Sequence, residues 1–213
     1  MANNAKRGNE VAMIDCALVV MTTKGEHAKS LALDTASQIE VAIASETTDA
    51  IKLIIKGKLK AQKKATTTVT GNTLTLTDNV LNFEMAKILQ GGTIKYWTSE
   101  EHTASSETET AFGVASYEPP VSGSGEKGEV FDLDLYSAVY DTSGEIIQYE
   151  KITYPNCTGQ PFGVGAQDDT FYVGSITIDS APAKGQAPYS INAVFALPAI
   201  DEATRRVVDN SEA

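Results

Sequence analysis

Alternation of apolar and polar residues marks most of this chain as β-strand, and a single stretch replaces it with a helical repeat. The two-residue period is clearest over 129–140, where Phe131, Leu133, Leu135 and Val139 share one face and Asp132, Asp134 and Tyr136 the other. Residues 38–44 repeat it, with Ile39, Val41 and Ile43 opposite Glu40. Residues 11–22 are almost continuously apolar, as a strand covered on both faces would be. Lys6 and Arg7 precede that run as they would in a secretion signal, but Asp15 interrupts it and no small-residue cleavage site follows closely, so a strand accounts for it better. Over 51–63, Ile51, Leu53, Ile55, Leu59 and Ala61 alternate with Lys52, Ile54, Lys56, Lys58 and Lys60, which predicts one strand. Residues 66–77 are rich in threonine, with a turn or bulge expected at Gly71 and Asn72. Further strands are expected at 93–97, 145–154, 170–179 and 189–197, with a hairpin turn at 141–144 and loops at 155–169 and 180–188.

The helical repeat lies in 80–90. Leu81, Met85, Ile88 and Leu89 form one stripe, Thr77 or Asp78 is placed to cap the first turn, and Gly91 to end the last. A helix of about ten residues is marginal alone, so it must pack on a sheet. The pattern predicts a mainly β fold carrying one helix. Residues 98–128 read as a long acidic loop, broken by Ser, Thr, Gly and Pro. A loop of that length inside a compact domain is usually functional or mobile; a linker between two domains is the alternative. The expected organisation is a flexible arm at 1–10, a single β domain over 11–198, and a polar tail at 199–213 holding a helical turn or two.

Charge narrows the function. A net charge of −11 disfavours a surface that grips nucleic acid, because phosphates must be neutralised by Lys and Arg. Two cysteines, Cys16 and Cys157, fit reduced thiols in a cytosolic setting better than a disulfide framework. No run approaches the roughly 18 apolar residues of a membrane span. The sequence Asn156-Cys157-Thr158 is a formal glycosylation sequon of the kind chance often supplies.

Candidate chemistry is sparse. Gly123, Gly125 and Gly128 match G-x-G-x-x-G, but Pro119 and Pro120 precede them and a strand follows, where the dinucleotide motif needs a strand before and a helix after. Asp132 and Asp134 could ligate a cation, yet no third acidic ligand stands nearby. His27 and His102 lie in polar segments without a partner pattern. Accordingly no catalytic, metal or cofactor-binding residue is nominated, no cofactor is expected, and the chain is not expected to be an enzyme. The one basic patch holds Lys56, Lys58, Lys60, Lys63 and Lys64. It reads as a solvated strand face, as a nucleic-acid contact lacking aromatic stacking groups, or as a surface that meets the acidic face of a neighbouring copy.

The run LIIKGKLKAQKK, then TGNTLTLTDNVLNFEMAKILQGGTI, VFDLDLYSAVYDTSGEIIQYEKITYPNC and APYSINAVFALP, resembles the tail tube (major tail) proteins of long-tailed bacteriophages and related phage-tail-like particles over roughly residues 35–198. The resemblance lies in segment order and general pattern. It implies an antiparallel β-sandwich or half-barrel with one flanking α-helix, and subunits that form hexameric rings stacking into a tube for genome delivery. Implied partners are other copies of the chain, a tape-measure protein, a tail terminator, baseplate or tail-tip proteins and, in a contractile tail, a sheath; DNA would pass through without specific binding. The location implied is the virion tail, assembled in the cytoplasm of a bacterial host.

On this basis Asp132 and Asp134 are expected to line an acidic lumen, where lysine at both positions would impair DNA passage. The five lysines are expected to form an inter-subunit contact, and the 1–10 arm and the 99–128 segment to become ordered as rings stack. The runner-up is a virion-surface or tail-tip module that binds a host surface or carbohydrate.

Overall fold

The computed structural model describes residues 11–97, 113–166, 168–170, 172–202 and 204–208. In chain order the elements are β1 (Met13–Thr23), β2 (Ser30–Leu33), β3 (Ala36–Thr48), β4 (Ile51–Ile55), β5 (Lys58–Lys63), β6 (Thr66–Asp78), α1 (Phe83–Gln90), β7 (Thr93–Tyr96), β8 (Val114–Glu118), β9 (Phe131–Tyr140), β10 (Ile146–Gly159), β11 (Gly174–Ser180), β12 (Ser190–Val194), β13 (Ile200–Asp201) and β14 (Arg206–Val207). Ten strands form one antiparallel sheet in the order β13-β14-β2-β1-β9-β10-β11-β6-β3, with β12 also paired to β10. The sheet does not close into a barrel. It curls so that β1 and β3, separated by four other strands, approach across the core. The fold is mainly β with a short helix, as the pattern predicts.

The core fills the concave face. Val19 and Met21 from β1, Leu74 and Leu76 from β6, Phe131 and Leu133 from β9, and Ile176 and Ile178 from β11 are all fully buried there. Helix α1 closes one end of the trough with Met85, Ile88 and Leu89. Two glycines let it sit so close. A Cβ on Gly128 would stand 2.2 Å from the Leu89 carbonyl oxygen, and one on Gly159 would stand 2.6 Å from the Leu89 Cα. Gly128, the last glycine of the G-x-G-x-x-G match, is therefore a packing residue against the helix. A smaller cluster of Leu18, Val20, Ala32 and Tyr136 occupies the opposite face beside β1, covered by Val194, Leu197, Ile200 and Val207.

Several local expectations are corrected. The helix is capped by Asn82, whose Oδ1 accepts from the Glu84 and Met85 amides at 2.9 and 3.1 Å. Asp78 is already engaged, its Oδ1 accepting from Thr35 Oγ1 and from the Val80 amide. Residues 51–63 are two strands, because Lys56 (φ 51°) and Gly57 (φ 74°) both take left-handed conformations and make a primed hairpin turn. Strand β10 continues through Pro155 to Gly159, with a bulge between Tyr154 and Cys157 that removes the need for a proline donor. In the 98–128 segment, β8 pairs with β7; residues 98–112 lie outside the described residues, as do the 1–10 arm and His102. The expected polar tail supplies β13 and β14, a hairpin that docks on β2 at Leu31.

Cys157 is fully buried, and burial pushes its thiol from the usual value of 9.0 up to about 12. The folded state thus holds this proton more tightly than the unfolded chain does. The stability this contributes is complete below pH 9 and is lost as pH rises from 9.0 towards 12. Denaturant unfolding at pH 8 and pH 10.5 should show a larger loss for the parent than for Cys157→Ala; equal losses would mean that the thiol does not report the burial seen here.

Candidate assembly surface

The most unusual surface is a two-stranded ribbon. Inside the body, β3 and β6 place Ile39, Leu74 and Leu76 on the core side. Past Ile43 the same pair leaves the body, the ladder continues to Thr48 opposite Thr66, and the β4–β5 hairpin extends it to the Lys56–Gly57 turn. The core-facing stripe runs on without cover: Val41, Ile43 and Val69 are exposed, Ile43 at 61%. At the tip Ile51, Leu53, Ile54, Ile55 and Leu59 are all exposed, with Ile54 (60%) paired directly across from Leu59 (56%). Scattered apolar side chains on a surface are ordinary, whereas a contiguous exposed set on a projecting element marks a contact surface.

The same tip carries the basic patch. Lys56 sits in the turn, Lys58 and Lys63 oppose Ile55 and Ile51, Lys60 lies at a register shift, and Lys64 follows β5. Among the described residues none of these five enters an ion pair. Residues 49–65 hold six lysines, including Lys52, against Asp49, a net +5. The rest of the chain must then carry −16 to reach −11 overall. The ribbon is a basic and apolar arm on an acidic body.

Asp132 and Asp134 stand on the convex face of β9, as alternation predicts, but neither presents a free charge. Asp132 Oδ1 is 2.8 Å from Lys24 Nζ and accepts from the Asn156 amide at 2.8 Å. Asp134 Oδ2 is 2.9 Å from Lys151 Nζ, and its other oxygen accepts from Thr153 Oγ1. Lys151 also lies over the Tyr136 ring. Two further acids on the convex side are likewise held: Asp179 accepts from Thr73 Oγ1 and Gln160 Nε2, and Glu40 from Gln38 Nε2. Before the ribbon leaves the body, the convex face of β3, β6 and β11 is therefore a layer of hydroxyls and amides with Glu40 and Asp179 tied down.

Among the described residues, the titratable groups that line the main recess do not form a catalytic arrangement. The recess of about 470 Å³ between α1 and the C-terminal hairpin holds Glu84, Tyr96, Arg205 and Arg206, but Arg206 pairs with Glu84 at 2.8 Å and Arg205 with Asp34. No group of three or more His, Cys, Asp or Glu among the described residues could hold a metal ion. No helix among them is long and apolar enough to cross a membrane.

No protein-family model matches the chain, and no curated protein matches it. Among solved structures it is similar to a chain of the cryo-EM structure of the anti-feeding prophage (AFP) baseplate, 6-fold symmetrised, at 6% sequence identity, covering 88% of this chain and 97% of that one with a TM-score of 0.33. A correspondence that loose leaves function to be read from this chain's own surfaces.

Proposed function

We propose that the chain is a structural subunit of a phage-tail-like particle, and that its copies form hexameric rings stacking into the tail tube through which DNA passes. The observation that carries this reading is the ribbon, which offers an uncovered apolar stripe and a net +5 in a chain whose other residues sum to −16. A second copy supplies what the ribbon lacks, acidic surface and cover from water. Because the ribbon and the body are different patches, the contact is head-to-tail, the kind that closes into rings or extends into filaments. Among the described residues the outer edge of β3 has no neighbour in the sheet, and ring closure would pair it.

The segment order of the chain, which resembles tail tube proteins, selects a tube among the possible assemblies. Its partners are then the tape-measure, terminator and baseplate or tail-tip proteins, with a sheath if the tail contracts, and its role is not enzymatic. We assign the hydroxyl and amide face of β3, β6 and β11 to the channel. DNA would meet Thr73, Thr75, Thr177 and Gln38 with carboxylates already satisfied, a lining that neither binds phosphate nor repels it strongly. Lysine at positions 132 and 134 would set like charges against Lys24 and Lys151, so asparagine is the cleaner probe of those sites.

Negative-stain microscopy of the concentrated purified protein tests the reading. Rings with a central hole, stacked into tubes, are expected, and their formation should slow by roughly 10-fold between low and high salt as the ribbon's attraction to the acidic body is screened. Monodisperse subunits at every concentration would overturn the tube and favour a binding module.

A further inference from the structure

Three side chains from separate strands or their ends meet at one corner of the sheet. Lys24 follows β1, where its amide donates to the Val130 carbonyl at 3.0 Å. Its Nζ lies 2.8 Å from Asp132 Oδ1 on β9 and 2.6 Å from Asn156 Oδ1 on β10. Asn156 is held from several sides. It occupies the β10 bulge at φ 51°, a conformation asparagine tolerates. Its amide donates to Asp132 Oδ1, its carbonyl accepts from the Ala181 amide, and its Nδ2 donates to Gln186 Oε1. The Gln186 oxygen is itself fixed by the Ala183 amide.

This is an amine against a carboxamide with a carboxylate touching the amine. The C=O bond adds about 1.23 Å, so the Asn156 amide carbon lies within about 3.8 Å of Nζ, near attack distance. A lysine–aspartate pair alone would not require an asparagine carbonyl as second acceptor, nor that asparagine's amide on the same carboxylate oxygen. We propose that Lys24 and Asn156 join in an intramolecular isopeptide bond, with Asp132 carrying the proton.

The chemistry balances without an oxidant or other reagent. Asp132 takes a proton from the Lys24 ammonium. The freed amine attacks Asn156 Cγ, whose terminal torsion is broad enough to turn its π face to Nζ. The Asp132 carboxyl passes that proton to the departing nitrogen, and the Cγ–Nδ2 bond breaks. The second proton, which addition leaves on the Lys24 nitrogen, passes through the Asp132 carboxylate to the ammonia. One N–C bond forms, one breaks, the two protons the lysine gives up leave with the former amide nitrogen as ammonium, and Asp132 returns to carboxylate. The product is a secondary amide tying the end of β1 to the β10 bulge.

Intact-mass measurement of the purified full chain tests this, before and after incubation at neutral and mildly alkaline pH. The expected parent is lighter than its sequence by one ammonia, and digestion yields a branched peptide joining Lys24 to Asn156. Lys24→Arg keeps the ion pair but cannot form the amide, so it should show full mass, as should Asp132→Asn. A parent at full mass after both incubations overturns the proposal. So does an ammonia loss that persists in Lys24→Arg, since it would arise from cyclisation of an asparagine on its own backbone. None of these outcomes depends on whether the protein forms tubes.

Discussion

Replacing Ile54 and Leu59 together with aspartate is expected to abolish tube formation while leaving the folded subunit intact. The two side chains face each other at the ribbon tip and are already more than half exposed, so the monomer loses little when they change. Surface substitutions of this kind fall within about 0.5 kcal/mol each, so the pair shifts the melting temperature of a chain of this length by about 4 °C at most. Assembly is different. Covering an aliphatic side chain contributes about 1.5–3 kcal/mol, so losing two removes about 3–6 kcal/mol per contact, or roughly two to four orders of magnitude in association. Two new negative charges would also face an acidic body. Sedimentation across a concentration series should find subunits only, with a melting temperature within about 4 °C of the parent's. Tubes forming at the parent's concentration would remove the ribbon from the interface.

The second large effect concerns the helix seat. Gly128→Ala puts a methyl group 2.2 Å from the Leu89 carbonyl oxygen and 2.4 Å from that of Ile88, and these are backbone atoms of the last helical turn. Nothing flexible can yield, so α1 must lift from the sheet and take Met85, Ile88 and Leu89 with it. Overpacking typically costs about 1–3 kcal/mol, and a clash with backbone belongs at the upper end, lowering the melting temperature by about 6–12 °C. Gly159→Ala meets Leu89 Cα, Cβ and Cδ2, each at 2.6 Å, so part of its obstruction is side chain. Combining each with Leu89→Ala separates the two. The Gly159→Ala cost should shrink when the Leu89 side chain is cut back, and the Gly128→Ala cost should not. Equal behaviour in the two cycles would contradict the geometry at the helix end.

Much of this fold was legible because its strands are covered on one side. Phe131, Leu133 and Leu135 against Asp132 and Asp134 is a pattern that only a half-buried strand produces, and Met85, Ile88 and Leu89 one that only a docked helix produces. The misreadings have physical sources. Lys56 adopts a left-handed conformation without being Asn or Asp, so its turn carried no familiar signal beyond Gly57. Pro155 looked like the end of a strand because a bulge cannot be read from composition. The basic patch is visible as charge, but alternation alone does not show that the apolar side chains beside it are exposed. The corner of Lys24, Asp132 and Asn156 had no sequence signature, since register alone brings together residues 108 and 132 positions from the lysine. The lysine partners of Asp132 and Asp134 were hidden for the same reason.

The ribbon has a property that follows from having neither face buried. Such a pair cannot rely on a core to fix its register. Here the Thr47 and Thr67 hydroxyls meet at 2.9 Å, Thr48 Oγ1 exchanges hydrogen bonds with the Thr66 backbone, and the Lys56–Gly57 turn sets the phase at the tip. Insertions are therefore filtered by parity. One extra residue in one strand would turn every side chain beyond it to the opposite side, while two in each strand would lengthen the arm by about 7 Å and keep its faces. Relatives of this chain could vary their reach, but only in steps of that size.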